Sequence, residues 1–95
     1  MRFEGRTVVI TGAGSGIGLA SARRFAAGGA HVVAVDVDDA AGEKVAAETG
    51  GLFVHADVTS EADVAAAFRA AHDAYGSVDV AFNNAGISPP RTTRS

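Results

Sequence analysis

Residues 7–18 read Thr-Val-Val-Ile-Thr-Gly-Ala-Gly-Ser-Gly-Ile-Gly, and no other stretch restricts the fold as much. Val8, Val9 and Ile10 form an apolar β-branched run, after which glycine stands at 12, 14, 16 and 18. Ile17, Leu19, Ala20 and Phe25 then recur at helical spacing. The pattern predicts a buried strand, a tight glycine turn and the opening of a helix. Amides at the head of a helix lack intrahelical partners and lie at the positive end of its dipole, so such a turn can hold phosphate. Gly12 permits the sharp exit from the strand, while Gly16 and Gly18 leave room where a pyrophosphate or the sheet must come close. Asp36 follows Gly18 by 18 residues, at the end of the next apolar run. That is the place of a carboxylate that accepts ribose hydroxyls. Together these features point to a dinucleotide or similar adenosine ligand.

Beyond the opening unit the same alternation repeats. Ala27-Gly28-Gly29-Ala30 ends the first helix, with glycine where a left-handed cap is wanted. His31-Val32-Val33-Ala34-Val35-Asp36 is a second strand, apolar enough to be covered on both faces. Asp38-Asp39 start a second helix, with Ala40, Val45 and Ala46 along its inner side and Gly50-Gly51 at its end. Leu52-Phe53-Val54-His55-Ala56 is the third strand. Ser60, or Thr59 just before it, caps a third helix that has Asp63 in its first turn. Val64, Ala67, Phe68 and Ala71 form the stripe of that helix, and Tyr75-Gly76-Ser77 closes it. Val78-Asp79-Val80-Ala81-Phe82 is the fourth strand.

A βαβαβαβ chain of this kind makes an α/β domain, a partial doubly wound Rossmann sheet of four parallel strands in the order 3-2-1-4 with three helices. Its switch point lies between strands 1 and 4, so a ligand crevice is expected over their carboxyl ends. The glycine turn, Asp36, Asp57 and Asn84 all follow strand ends on that edge. The domain is expected over residues 1–87. Residues 88–95, which lack apolar periodicity, are expected to be a disordered tail.

Asp36 also bears on which dinucleotide fits. A carboxylate there accepts both ribose hydroxyls and repels a 2′-phosphate. Neither Ser15 nor Val37 is a cation that could receive one. NAD is therefore preferred over NADP. Asp57 can take the adenine amino group while Val58 packs beside the ring, or can simply open the loop before the third helix. Asn83-Asn84-Ala85-Gly86 joins neighbouring strand ends, because asparagine amides both donate and accept. Asn84, Ala85 and Gly86 are also placed to form a cofactor shelf. His31, His55 and His72 have no metal-site spacing and are read as non-functional.

Composition narrows the partners. The 95 residues suffice for one small domain, and a net charge of −3 with scattered arginines argues against nucleic acid. There is no cysteine, and no apolar run is long enough for a membrane span, so a cytoplasmic protein is expected.

With these residues in view, the chain resembles the short-chain dehydrogenase/reductase family. Thr11-Gly12-Ala13-Gly14-Ser15-Gly16-Ile17-Gly18 matches its Thr-Gly-x-x-x-Gly-x-Gly cofactor motif, and Asn83-Asn84-Ala85-Gly86 matches its Asn-Asn-Ala-Gly motif. Asp57-Val58 matches its adenine-contacting pair. The resemblance implies NAD-dependent alcohol/ketone oxidoreduction, with Gly12, Ser15, Gly16, Ile17, Gly18, Asp36, Asp57, Val58, Asn84, Ala85 and Gly86 holding the cofactor. The family's serine and Tyr-x-x-x-Lys pair lie beyond the Asn-Asn-Ala-Gly motif. Here the one tyrosine, Tyr75, is followed four residues later by Asp79, and the one lysine is Lys44. The chain is thus expected to be a truncated cofactor-binding half, inactive alone. Its strand 4 edge is then free for homo- or hetero-association. Two rivals are a non-enzymatic nucleotide-binding or subunit-pairing fragment, and a methyltransferase-like domain. The glycine spacing and the asparagine motif count against the latter.

Overall fold

In the computed structural model, which describes residues 3–83, strands and helices alternate without exception. β1 (Thr7–Thr11) leads through the glycine turn to α1 (Gly16–Ala27), β2 (His31–Asp36), α2 (Asp39–Thr49), β3 (Leu52–His55), α3 (Glu61–Tyr75) and β4 (Val80–Asn83). The strands form one parallel sheet in the order β3-β2-β1-β4, as the motif pattern predicts. Val8 lies in register with Val32 on one side and Val80 on the other.

Period-two alternation divides the central strands between two cores. Val8, Ile10, Val32 and Ala34 face α1 and α2, where Ala22 and Val45 are buried and Leu19, Phe25 and Phe53 pack around them. Val9, Val33 and Val35 face α3 through Ala67 and Ala71. The placement follows from chain direction. From β1 to β3 the chain steps one way across the sheet, and from β3 to β4 it returns past β2 and β1. Crossovers of a single hand then put α3 on the face opposite α1 and α2.

Several local expectations are revised. Ile17 and Ala20 are exposed; α1 meets the sheet through Gly18 and Ala22, whose small size lets the helix lie close. Ala40 is likewise exposed, whereas Val45 and Ala46 are buried as expected and Gly42 joins them on the inner side of α2. Gly28 ends α1 with an ordinary φ of −83°, and Gly29 carries the left-handed turn at +95°. β4 begins two residues later than its apolar run. Asp79 occupies the approach, donating its N–H to the Thr7 carbonyl (2.9 Å) and accepting the Thr7 N–H at Oδ2 (2.9 Å). Val78 packs into the α3-side core without joining the ladder. The predicted tail over 88–95 lies outside the described residues.

Candidate dinucleotide site

The site grows from the exit of β1. Gly12 has φ of +63°, a left-handed conformation that a β-carbon disfavours, and it turns the chain out of the sheet. Ala13 is buried, and its N–H donates to the Val35 carbonyl (3.2 Å), tying the turn to β2. Ser15 is the N-cap of α1 by position, yet its hydroxyl makes no capping bond and donates back to the Gly12 carbonyl (2.9 Å). The first intrahelical bond runs from the Leu19 N–H to the Ser15 carbonyl. The amides of Gly16, Ile17 and Gly18 precede it and have no intrahelical partner, and no acidic side chain stands in this first turn. A β-carbon on Gly16 would meet nothing within 4 Å among the described residues, so the helix head is open at that point. An anion fits such a place on charge and on room.

Asp36 ends β2 and turns toward the glycine loop. Its Oδ2 accepts the N–H of Gly14 (2.8 Å), and its Oδ1 accepts the N–H of Asp38 (3.0 Å). A carboxylate offers roughly four acceptor positions, two per oxygen, so among the described residues one on each oxygen is spent and one on each is left. That remainder matches the two hydroxyls of a ribose. Gly14 had no assigned part in the sequence reading, yet it makes the bond that aims the carboxylate. The motif spacing leaves its position unspecified, and its partner stands 22 residues away.

The third strand end lies beside the second, for the Ala56 N–H donates to the Asp36 carbonyl (3.2 Å). Asp57 follows, exposed. Its Oδ1 accepts both the hydroxyl (2.7 Å) and the N–H (2.9 Å) of Thr59, while its own N–H donates to Asp63 Oδ2 (2.9 Å). The Thr59 hydroxyl bond first, then the Thr59 amide, hold the Asp57 carboxyl below its ordinary range. These bonds tie Asp57 to the entry of α3 and hold it there as a carboxylate at the crevice edge. Val58 is half-buried and lines a groove of about 510 Å³ with Glu61, Val64, Ala65 and Phe68. The glycine turn, Asp36 and the end of β3 thus come together on one edge. Asn84, Ala85 and Gly86 lie outside the described residues; β4 runs to Asn83, in register with Thr11.

Two exposed apolar side chains flank this edge, Ile17 (66 % exposed) at the head of α1 and Val37 (57 %) after Asp36. His55 reaches across to the first turn of α2, its Nδ1 2.6 Å from Asp39 Oδ1. His31 stacks on Tyr75 with ring centroids 4.4 Å apart. That stack stands where β2 begins, at the end of the sheet away from the glycine turn.

Comparison with known proteins agrees with this geometry. The family model described as short chain dehydrogenase matches residues 6–95. Momilactone A synthase of Oryza sativa subsp. japonica is 49% identical over 92 residues, covering 94% of this chain and 34% of that protein. The mitochondrial borneol dehydrogenase of Lavandula x intermedia is 47% identical over 87 residues, covering 92% and 34%. Among solved structures, the 3-ketoacyl-(acyl-carrier-protein) reductase of Brucella melitensis complexed with NADH superposes with a TM-score of 0.80 at 52% identity, covering 83% of this chain and 33% of that one. The chain spans about a third of the length of these relatives. With the sheet order, the glycine turn and the family match in agreement, the chain belongs to the short chain dehydrogenase family and corresponds to its amino-terminal, cofactor-binding region.

Proposed function

We propose that this chain holds the dinucleotide of a short-chain oxidoreductase and prefers NAD(H) to NADP(H). The observation that carries the reading is Asp36, fixed at the mouth of the glycine turn with one acceptor position left on each oxygen. The amides of Gly16, Ile17 and Gly18 would take the pyrophosphate, with Gly12 and Ser15 shaping the turn that presents them. Asp57 and Val58 would flank the adenine, and Asn84, Ala85 and Gly86 would form the shelf beyond β4. A nicotinamide bound there supplies or accepts hydride.

Discrimination against a 2′-phosphate rests on charge. Asp36, Asp38 and Asp39 stand together at the end of β2 and the start of α2, and neither residues 12–18 nor residues 36–41 include Lys or Arg. A second phosphate would meet carboxylates and no cation. The NADH named with the Brucella melitensis reductase supports the same coenzyme class.

Turnover by these 95 residues alone is not part of the proposal. Tyr75 is stacked on His31 at the far end of the sheet, and Lys44 lies on α2. Neither can hand a proton to a substrate at the crevice. The outer edge of β4 has no partner strand among the described residues, and such an edge favours association. Pairing through it, with a second copy or a family member, belongs to this reading. So does a cytoplasmic home, supported by the absence of cysteine. Among the described residues no helix is long and apolar enough to cross a membrane.

Titration calorimetry with NADH, NADPH and S-adenosylmethionine tests the ligand. The expected order places NADH first, with NADPH well behind and no heat from S-adenosylmethionine. No heat from NADH at millimolar concentration would defeat the proposal, and equal affinity for both nicotinamide coenzymes would defeat its discrimination part.

A further inference from the structure

We infer that Gly14 is a positioning residue that sets coenzyme preference, because only without a side chain there can the turn reach and hold Asp36. The inference rests on the reading of Asp36 just given and extends it to a position that the glycine motif leaves open.

A β-carbon on Gly14 would stand 2.6 Å from the Ala41 β-carbon and 2.9 Å from Asp36 Oδ2. The two obstacles differ in kind. The carboxylate oxygen is the end of a rotatable side chain and can swing aside. The Ala41 methyl cannot, because it is fixed to α2 within the first turn of the helix. There the Ala41 N–H donates to Oδ1 of the N-cap, Asp38 (3.1 Å). Relief therefore needs the glycine turn or the head of α2 to move. Moving the turn takes the Gly14 N–H away from Asp36. Moving α2 disturbs Asp38, whose own N–H holds the other Asp36 oxygen.

Either displacement leaves a carboxylate with one anchor instead of two. It loses its fixed direction toward the ribose hydroxyls, so NADH binds less well. It can also rotate away from a 2′-phosphate, so NADPH is rejected less strongly. The ratio of the two affinities falls from both sides, which loss of general stability would not produce.

The test measures NADH and NADPH affinities by calorimetry for the 95-residue chain and for G14A, A41G and G14A/A41G, with amide spectra reporting the fold. G14A is expected to weaken NADH roughly tenfold, the scale of one hydrogen bond to a charged group, and to shrink the NADH-over-NADPH ratio at least as much. A41G keeps the parental ratio. G14A/A41G, with the rigid obstacle removed, recovers most of it. A folded G14A with the parental ratio overturns the inference. If G14A does not fold, the double variant decides: a folded chain that retains NADH preference supports the inference, and one that has lost it overturns it. A parental chain that binds both coenzymes alike overturns the Asp36 reading itself, and this inference with it.

Discussion

Two side chains at opposite ends of the sheet, Asp57 after β3 and Thr7 at the start of β1, carry predictions of their own. Asp57 accepts two bonds from Thr59, the hydroxyl contributing more to its lowered pKa than the amide. Thr59→Val removes the hydroxyl and keeps the amide, so the Asp57 pKa should rise toward the ordinary carboxylate value; carbon-detected NMR titration reads it directly. The sign for stability follows. A folded-state pKa below the unfolded one stabilises the fold above the unfolded value, roughly 3.9, and the contribution disappears as pH falls through the folded value. The variant should lose the larger part of that acid-limb dependence, the amide bond keeping the rest, and an unchanged titration would contradict the assignment. Thr7 is fully buried at the start of β1, and its Oγ1 has no hydrogen-bond partner among the described residues. Thr7→Val should stabilise by about 1 kcal/mol, since an unmade buried bond is removed and a methyl replaces it. A urea midpoint that falls instead would show the hydroxyl to be satisfied in solution. Asp36 was legible because motif spacing announces it. The Thr7 and Gly14 environments were not, because they depend on Asp79 and Ala41, placed by the fold rather than by local sequence.

At the scale of the element, caps and periodicity carried most of the information. Asp38 and Ser60 cap α2 and α3, each accepting an amide of the first turn. Ser60→Ala should cost about 1 kcal/mol, the usual value of a lost N-cap, and should shift the thermal midpoint downward. No shift would mean that Asp63, whose carboxylate holds the Asp57 N–H, anchors the helix by itself. The exits of β1 and β2 were legible because parallel strands buried on both faces read as continuous apolar runs. The start of β4 was not, since Val78 is apolar for core packing while Asp79 diverts the backbone to Thr7. Periodicity also overcounted α1. Ile17 sits at helical spacing yet remains exposed, because it stands at the head of α1 beyond the reach of the sheet.

Across the whole molecule, the parallel run of the strands brings the ends of β1, β2 and β3 and the glycine turn to one edge, and the return from β3 to β4 sets β4 on the other side of β1. The order 3-2-1-4 was readable from strand and helix alternation joined to one rule of handedness. The two-anchor geometry of Asp36 was not, because it needs the actual separation of turn and helix. The most direct test is an amide and carboxyl NMR map of the chain titrated with NADH. The account predicts that the amides of Gly14, Gly16, Ile17 and Gly18 and the carboxyl of Asp36 shift together along a single binding curve. Shifts confined to the α3 groove around Val58 and Phe68, with Asp36 and the turn unmoved, would contradict it.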